Sequence, residues 1–205
     1  MNSLSNTAMQ LRIIQAPSLK YNRLDCQLWV KQLSALTQAC INLGASIGFL
    51  PSSSSRAIQN YWWQVFDAVI KSQKTLIIAE LNGVMAGCVQ LSPATKDNAQ
   101  HRAEVEKLLV HPNSRRKGVA TKLMQAIEQE STRQQISLLV LDTQSDSDAE
   151  ILYQSLGFKV AGQIPHFVSD ERGDFHATTY YYKLLAPTLR NRIENVALVH
   201  YANEY

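Results

Sequence analysis

The stretch best suited to chemistry is Val105 to Ala120, VEKLLVHPNSRRKGVA. A strand-like run ends at Pro112, three cations follow (Arg115, Arg116, Lys117), and Gly118 stands where helical spacing begins. The first amides of a helix have no intrahelical partners and sit at the positive end of its dipole, so anions are drawn there. A glycine lets a ligand approach the backbone closely. The segment is therefore suited to phosphate, although a solvated basic turn uses the same letters. It is neither a GxxxxGK[ST] loop nor a GxGxxG dinucleotide turn.

Two carboxylates precede it. Glu104 and Glu106 alternate onto one face of the strand leading to Leu108. Either could take a proton from a substrate, or both could be polar positions at the exposed end of the strand. Farther along, Pro165 to Ala177 gathers His166, Asp170, Glu171, Asp174 and His176. Carboxylates there could hold a substrate ammonium, and a solvated loop explains them equally well. Tyr61, Trp62 and Trp63 share one helical stretch. Three adjacent aromatics cannot all hide on one narrow face, so one of them, Trp62 for instance, is a candidate pocket wall, with core packing as the default.

The elements that must position these residues follow from periodicity. Met9 to Ala16 reads as a short strand. From Asp25, Leu28, Trp29, Leu33, Leu36 and Cys40 recur at three- and four-residue steps and predict an amphipathic helix. Ser52 to Ser55 offers an N-cap for a second helix carrying Ile58, Tyr61, Trp62, Val65, Phe66 and Val69. Thr75 to Glu80 and Val84 to Leu91 flank Asn82-Gly83, a favoured hairpin turn. After a polar loop, Arg102 to His111 is a long strand and Gly118 to Thr132 a helix. Ile136 to Leu141 is continuously apolar, which predicts a central strand covered on both faces. Asp146 to Leu156 is helical with Gly157 at its end. Phe158 to Ile164 and Thr178 to Leu184 read as the last strands, with an irregular Pro165 to Ala177 between them. One domain is expected over residues 9–186, with 187–205 as an extension, helical by pattern. The class is α/β (α+β), a mixed, mostly antiparallel sheet flanked by helices.

Composition narrows the setting. The chain has 205 residues, 45% of them apolar, which suits one folded core. Twenty Lys and Arg against 17 Asp and Glu leave a formal charge of only +3, too little to imply nucleic acid or an anionic membrane as partner. Mean hydropathy is -0.17, and no apolar run is long enough to span a bilayer. Cys26, Cys40 and Cys88 are far apart, with no ligand spacing for a metal, and read as reduced core residues of a cytoplasmic protein. Self-association into a homodimer stays open.

The order R115-R116-K117-G118-V119-A120 resembles the (Arg/Gln)-x-x-Gly-x-(Gly/Ala) signature of the GCN5-related N-acetyltransferases (GNAT), and KLLVHP precedes it as a strand and proline do in that family. A149-E150-I151-L152-Y153-Q154-S155-L156-G157-F158 is similar to the later Ala-x-x-Leu-Tyr-x-x-x-Gly-Phe element. The resemblance covers about residues 9–186 and implies acetyl-CoA as cosubstrate. It assigns the pantetheine arm and acetyl carbonyl to the backbone of Leu108, Leu109 and Val110. The pyrophosphate falls to amides around Arg116, Lys117, Gly118, Val119, Ala120 and Thr121, with Arg115 adding charge. Tyr153 becomes the general acid beside the coenzyme sulfur; its alternative is a tyrosine with its ring in the core. The proton acceptor stays a choice between Glu104, Glu106 and neither. The run from Leu139 to Phe158, with GQIPHF and TTYYYKLL after it, is similar to a bacterial subgroup that includes the tabtoxin-resistance acetyltransferase, which implies a small, amino-acid-like amine as acceptor. Phe167 departs from that subgroup, where several members carry an aromatic hydroxyl. A protein or peptide N-acetyltransferase and a non-catalytic acetyl-CoA-binding module are the rival readings.

Overall fold

The computed structural model describes residues 8–14 and 23–186. Seven strands form one sheet: β1 (Met9–Ile14), β2 (Thr75–Leu81), β3 (Val84–Pro93), β4 (Arg102–Val110), β5 (Leu138–Gln144), β6 (Lys159–Ser169) and β7 (Phe175–Leu184). They lie in the order β1-β2-β3-β4-β5-β7-β6. Every neighbouring pair is antiparallel except β4 with β5. This is the mixed, mostly antiparallel sheet that the sequence predicts.

The helices are α1 (Arg23–Ile41), α2 (Ser55–Ile70), α3 (Val119–Arg133) and α4 (Asp148–Ser155). α2 starts where its sequence says it should: the Ser54 hydroxyl accepts the Ala57 N–H at 3.1 Å, and Ile58, Trp62, Val65, Phe66 and Val69 form its buried stripe. α1 turns Cys26, Trp29, Val30, Leu33, Leu36 and Cys40 inward. Leu28, expected on that stripe, is 56% exposed, because the inward face is centred on Val30 and Leu33.

Two cores sandwich the sheet. α1 and α2 cover one face through Leu33, Trp62, Phe66, Ile78, Cys88 and Leu109. α3 and α4 cover the other through Ile77, Val89, Val105, Leu123, Leu139, Tyr153 and Tyr181. Alternation along each strand sends successive side chains to the two cores in turn.

Two expectations are corrected. β5 is central, but only Leu139 and Leu141 are buried, while Val140 is half-buried and Asp142 exposed, because α1 and α2 do not extend over that part of the sheet. The polar segment after Ile164 is not a loop: β6 runs on to Ser169 and β7 begins at Phe175. Pro165 is tolerated because β6 is an edge strand, where a missing N–H costs no ladder bond, and the pairing slips between Ile164 and Val168 to absorb it. The hairpin then closes through Asp170, whose Oδ1 accepts the N–H groups of Arg172 and Asp174. The helix expected in 187–205 lies outside the described residues.

Candidate active site

Two irregularities in β4 make the site. The first is a bulge against β3. Leu109 pairs with Cys88 and Glu106 with Gln90, so Lys107 and Leu108 share one position opposite Val89. Lys107 takes the left-handed conformation there, with φ 51°. The extra residue reverses which face each side chain meets. Before it, Val105 packs in the α3 core; after it, Leu109 packs in the α1–α2 core, and Leu108 and Val110 lie against the α3 side.

The second irregularity is a parting of β4 from β5. Their parallel pairing joins Arg102, Ala103 and Glu104 to Leu138, Leu139 and Val140, and then stops. From Glu106 onward β4 has β3 on one side and a gap on the other. The His111 N–H reaches back to Ala86 O at 2.8 Å, so alternation turns the Val110 N–H away from β3 and toward that gap. A free backbone donor at the edge of a wedge suits an oxygen that gains negative charge.

β4 and β3 approach unusually closely at this point. A Cβ placed on Gly87 would lie 2.5 Å from Leu109 O and 3.1 Å from side-chain atoms of both Leu123 and Val119. Only glycine lets β3, the bulged strand and α3 meet there.

At the end of the gap the chain turns through Pro112–Ser114 into α3. Gly118 is left-handed (φ 78°) and gives α3 no side-chain cap. Arg116 is also left-handed, with φ 59°. The N–H groups of Val119, Ala120 and Thr121 therefore face outward, and the first intrahelical bond there runs from Lys122 N to Gly118 O. Arg115, Arg116 and Lys117 are exposed around this opening, and space beside Gly118 is clear. A pyrophosphate fits such a cradle by charge and by geometry.

Tyr153 projects from α4 into the core on the α3 side, its ring 5.9 Å from those of Phe158 and Tyr181. It is 7% exposed, and its hydroxyl makes no hydrogen bond to any described residue, yet it is not among the sealed unpartnered atoms. The ring is core and the hydroxyl meets open space. Burial, with the charge of Asp142 added, pushes the phenol well above its ordinary range and keeps it protonated.

The two glutamates are unlike. Glu106 is half-buried, which alone would raise its pKa, but the Lys74 ammonium bonds its Oε2 at 2.7 Å and holds the carboxyl below the usual range. Glu104 has no such partner among the described residues. Its side chain is exposed to solvent, yet partial desolvation pushes its pKa up, and the negative charges of Glu106 and Asp142 push it further. Sequence reasoning missed Asp142. It lies at the polar end of β5, where the apolar run had already been read as finished, and it accepts a hydrogen bond from the Thr178 hydroxyl at 3.1 Å. Asp142 pairs with Tyr180 of β7, whose phenol is also raised, by burial and then by Asp142 and Glu104.

The acceptor-side candidates fall differently. Trp62 is 0% exposed, with its indole N–H donated to Thr37 Oγ1 at 2.9 Å, so it is core and not a pocket wall. Tyr61 is the neighbour nearer the site: its hydroxyl exchanges hydrogen bonds with Gln90, and its ring packs edge-on to Phe49. His166 stacks on Phe175, which alternation along β7 places on the side of Tyr181, away from the carboxylates. Phe167, not His166, lies on the Tyr180 side, the two rings 5.9 Å apart. Asp174 sits in the exposed turn of the hairpin. Glu171, from that same turn, accepts the Ser52 N–H at 3.0 Å and so ties the hairpin tip to the α1–α2 loop. Nothing in the sequence spacing signals that contact across 119 residues.

A parted β4–β5 pair, a bulged strand and an uncapped helix together make a mid-sheet gap that ends at a phosphate-suited helix terminus. Residues 39–158 match the sequence model of the Acetyltransferase (GNAT) family, and the chain belongs to that family. It is 30% identical over 104 residues to an uncharacterised N-acetyltransferase of Azospirillum brasilense from the hisH–hisA intergenic region. That match spans 50% of this chain and 60% of the relative. An N-acetyltransferase of Staphylococcus aureus Mu50 superposes with a TM-score of 0.69 at 17% identity, over 88% of this chain and all (100%) of that one. The yncA protein of Salmonella typhimurium, solved with its cofactor acetyl-CoA, gives 0.66 at 19% identity, over 89% and 96% of the two chains. At such identities the structural likeness speaks for the fold. Among the described residues no group of ligands suits a metal ion, and no helix is long and apolar enough to cross a membrane.

Proposed function

We propose that the protein transfers the acetyl group of acetyl-CoA directly to the amine of a small, amino-acid-like molecule. The observation that carries this is the parted β4–β5 pair, with the Val110 N–H turned toward the gap and Glu104 on the strand that leads into it; the resemblance adds Tyr153 as the acid. Leu108, Leu109 and Val110 would hold the pantetheine arm, and the amides of Arg116 to Thr121, with Arg115 beside them, the pyrophosphate. The thioester supplies an activated acyl carbon.

The chain's own groups then share the proton work. Glu104 takes the first proton from the acceptor ammonium, its affinity raised by partial desolvation and by the charges of Glu106 and Asp142. The amine nitrogen forms the new C–N bond, and the Val110 N–H stabilises the negative charge on the acetyl oxygen. As the C–S bond breaks, Tyr153 gives its phenolic proton to the sulfur, and the second proton, shed by the nitrogen as it becomes an amide, passes through solvent to restore the phenol. Glu106 remains a carboxylate paired with Lys74 and supports the field around Glu104. No protein nucleophile is required when both substrates are held together.

The Ser52–Glu171 contact favours a small acceptor over a protein, because it bridges the acceptor side where a peptide groove would need to stay open. The resemblance of Leu139 to Phe158 to the tabtoxin-resistance subgroup supports the same reading. The test is an amine library incubated with acetyl-CoA, read by thiol release with mass detection of the product. Acetylated small amines support the reading. Coenzyme A binding with no release from any amine would sink it and favour a binding module; release only with peptides would favour a protein acceptor.

A further inference from the structure

Lys107 is not explained by acetyl-CoA binding. It occupies the bulge of β4, and its side chain runs toward the α1–α2 loop and α2. Its Nζ lies 5.4 Å from the centre of the Tyr61 ring, and a Cβ placed on Gly48 would come within 3.6 Å of it. Gly48, left-handed at φ 81°, adds no side chain to cover the ammonium. Among the described residues Lys107 has no ion pair and no hydrogen-bond acceptor. The nearest carboxylate by electrostatic effect, Glu106, is already bonded to Lys74. Partial burial without a partner leaves the ammonium disfavoured, and its pKa is lowered chiefly for that reason.

An aromatic contact and a distant field do not replace a hydrogen-bonded anion. Lys107 is thus a partly buried cation with no ion pair among the described residues, on the same side of the sheet as the acidic pair Glu104 and Asp142, whose charges act on it. A positive point and a negative patch on one side of the sheet complement a molecule that carries both charges.

Resting on the acetyl-transfer reading above, we propose that Lys107 is a specificity residue that binds a carboxylate of the acceptor. The substrate class is then an amine that also bears a carboxylate, its ammonium directed toward Glu104 and Asp142. Diamines and simple alkylamines lack the group that Lys107 would hold. They would also leave it unpaired beneath them.

The test uses the full chain, acetyl-CoA and matched acceptors: α-amino acids, their carboxamides and the corresponding decarboxylated amines. A charged hydrogen bond made or lost corresponds to roughly 10- to 100-fold in kcat/KM. The expected result is that each accepted amino acid exceeds its carboxamide by about that factor, mostly in KM. Lys107→Met should bring the acid-to-amide ratio close to one, and Lys107→Arg should retain most of it. Equal use of acid and amide by the unaltered protein would overturn the proposal while leaving acetyl transfer intact. So would an unchanged ratio in Lys107→Met, even with a lowered Tm, since that pattern assigns Lys107 to the bulge alone. Failure of the acetyl-transfer reading looks different: coenzyme A binds, and no acceptor of any charge releases thiol.

Discussion

Tyr153 combines two properties that ordinarily conflict: a ring fixed in the hydrophobic core and a hydroxyl with no hydrogen-bond partner among the described residues. A buried phenol normally finds an acceptor, so the missing partner is the informative part. Tyr153→Phe keeps the ring packing and removes only the acid. Turnover is expected to fall on the order of 100-fold, while coenzyme A affinity by titration calorimetry stays within about twofold; an unaltered kcat would exclude the phenol from the chemistry. Glu104 offers a pH test with a definite sign. Its pKa is raised, and its working form is the carboxylate, so activity should climb as pH rises through a value above the ordinary carboxylate range. Glu104→Gln should remove that limb of the kcat/KM profile, leaving only the titration of the amine. A profile of unchanged shape would shift the proton to water or to Asp142. Glu104, Glu106 and Tyr153 were readable as candidates from spacing and family signature. The difference between the two glutamates was not, because it depends on Lys74, a residue of another strand's approach, and on Asp142, which only the β4–β5 register brings near.

At the scale of elements, local patterns were legible and long-range ones were not. The Ser54 cap, the buried stripe of α2 and the Asn82-Gly83 hairpin all act within a few residues, and the sequence shows them directly. The bulge at Lys107 carries no such mark: a lysine at positive φ is held there by the pairing of β3 with β4, not by its own preference. The β6–β7 hairpin was hidden for a related reason. Pro165 and a cluster of ionisable residues describe a loop until one knows that β6 is an edge. Gly87 gives the element-level prediction. Gly87→Ala would press a methyl against Leu109 O at 2.5 Å, where backbone cannot yield as a side chain can. We expect a loss of about 3 kcal/mol, which lowers Tm by roughly 6–12 °C in a calorimetric scan. A shift under a degree would mean that β3 and β4 can separate freely, contrary to the register.

For the whole molecule, the parted β4–β5 pair divides the sheet into two halves. β1 to β4 with α1 to α3 stand on one side of the gap, and β5 to β7 with α4 on the other. A ligand that touches both must stabilise their association by mass action. Coenzyme A at about 100 times its Kd should add about 2.7 kcal/mol and raise Tm by roughly 5–10 °C, measured by scanning fluorimetry. An unchanged Tm at saturation would show that coenzyme A does not engage the native state as described. The acidic pair and Lys107 lie on the α1–α2 side of the same gap.

The sparse pairing of β4 with β5 marks where the chain divides most cleanly. All strands on one side of it precede, in sequence, all strands on the other, and the crossing is made through α3 and the turn after Arg133. A break in that turn would therefore yield two contiguous fragments, each with its own complete run of antiparallel partners, joined in the sheet by Arg102–Glu104 against Leu138–Val140. Such fragments are suited to conditional reassembly, with the thioester cosubstrate acting as the rivet between them.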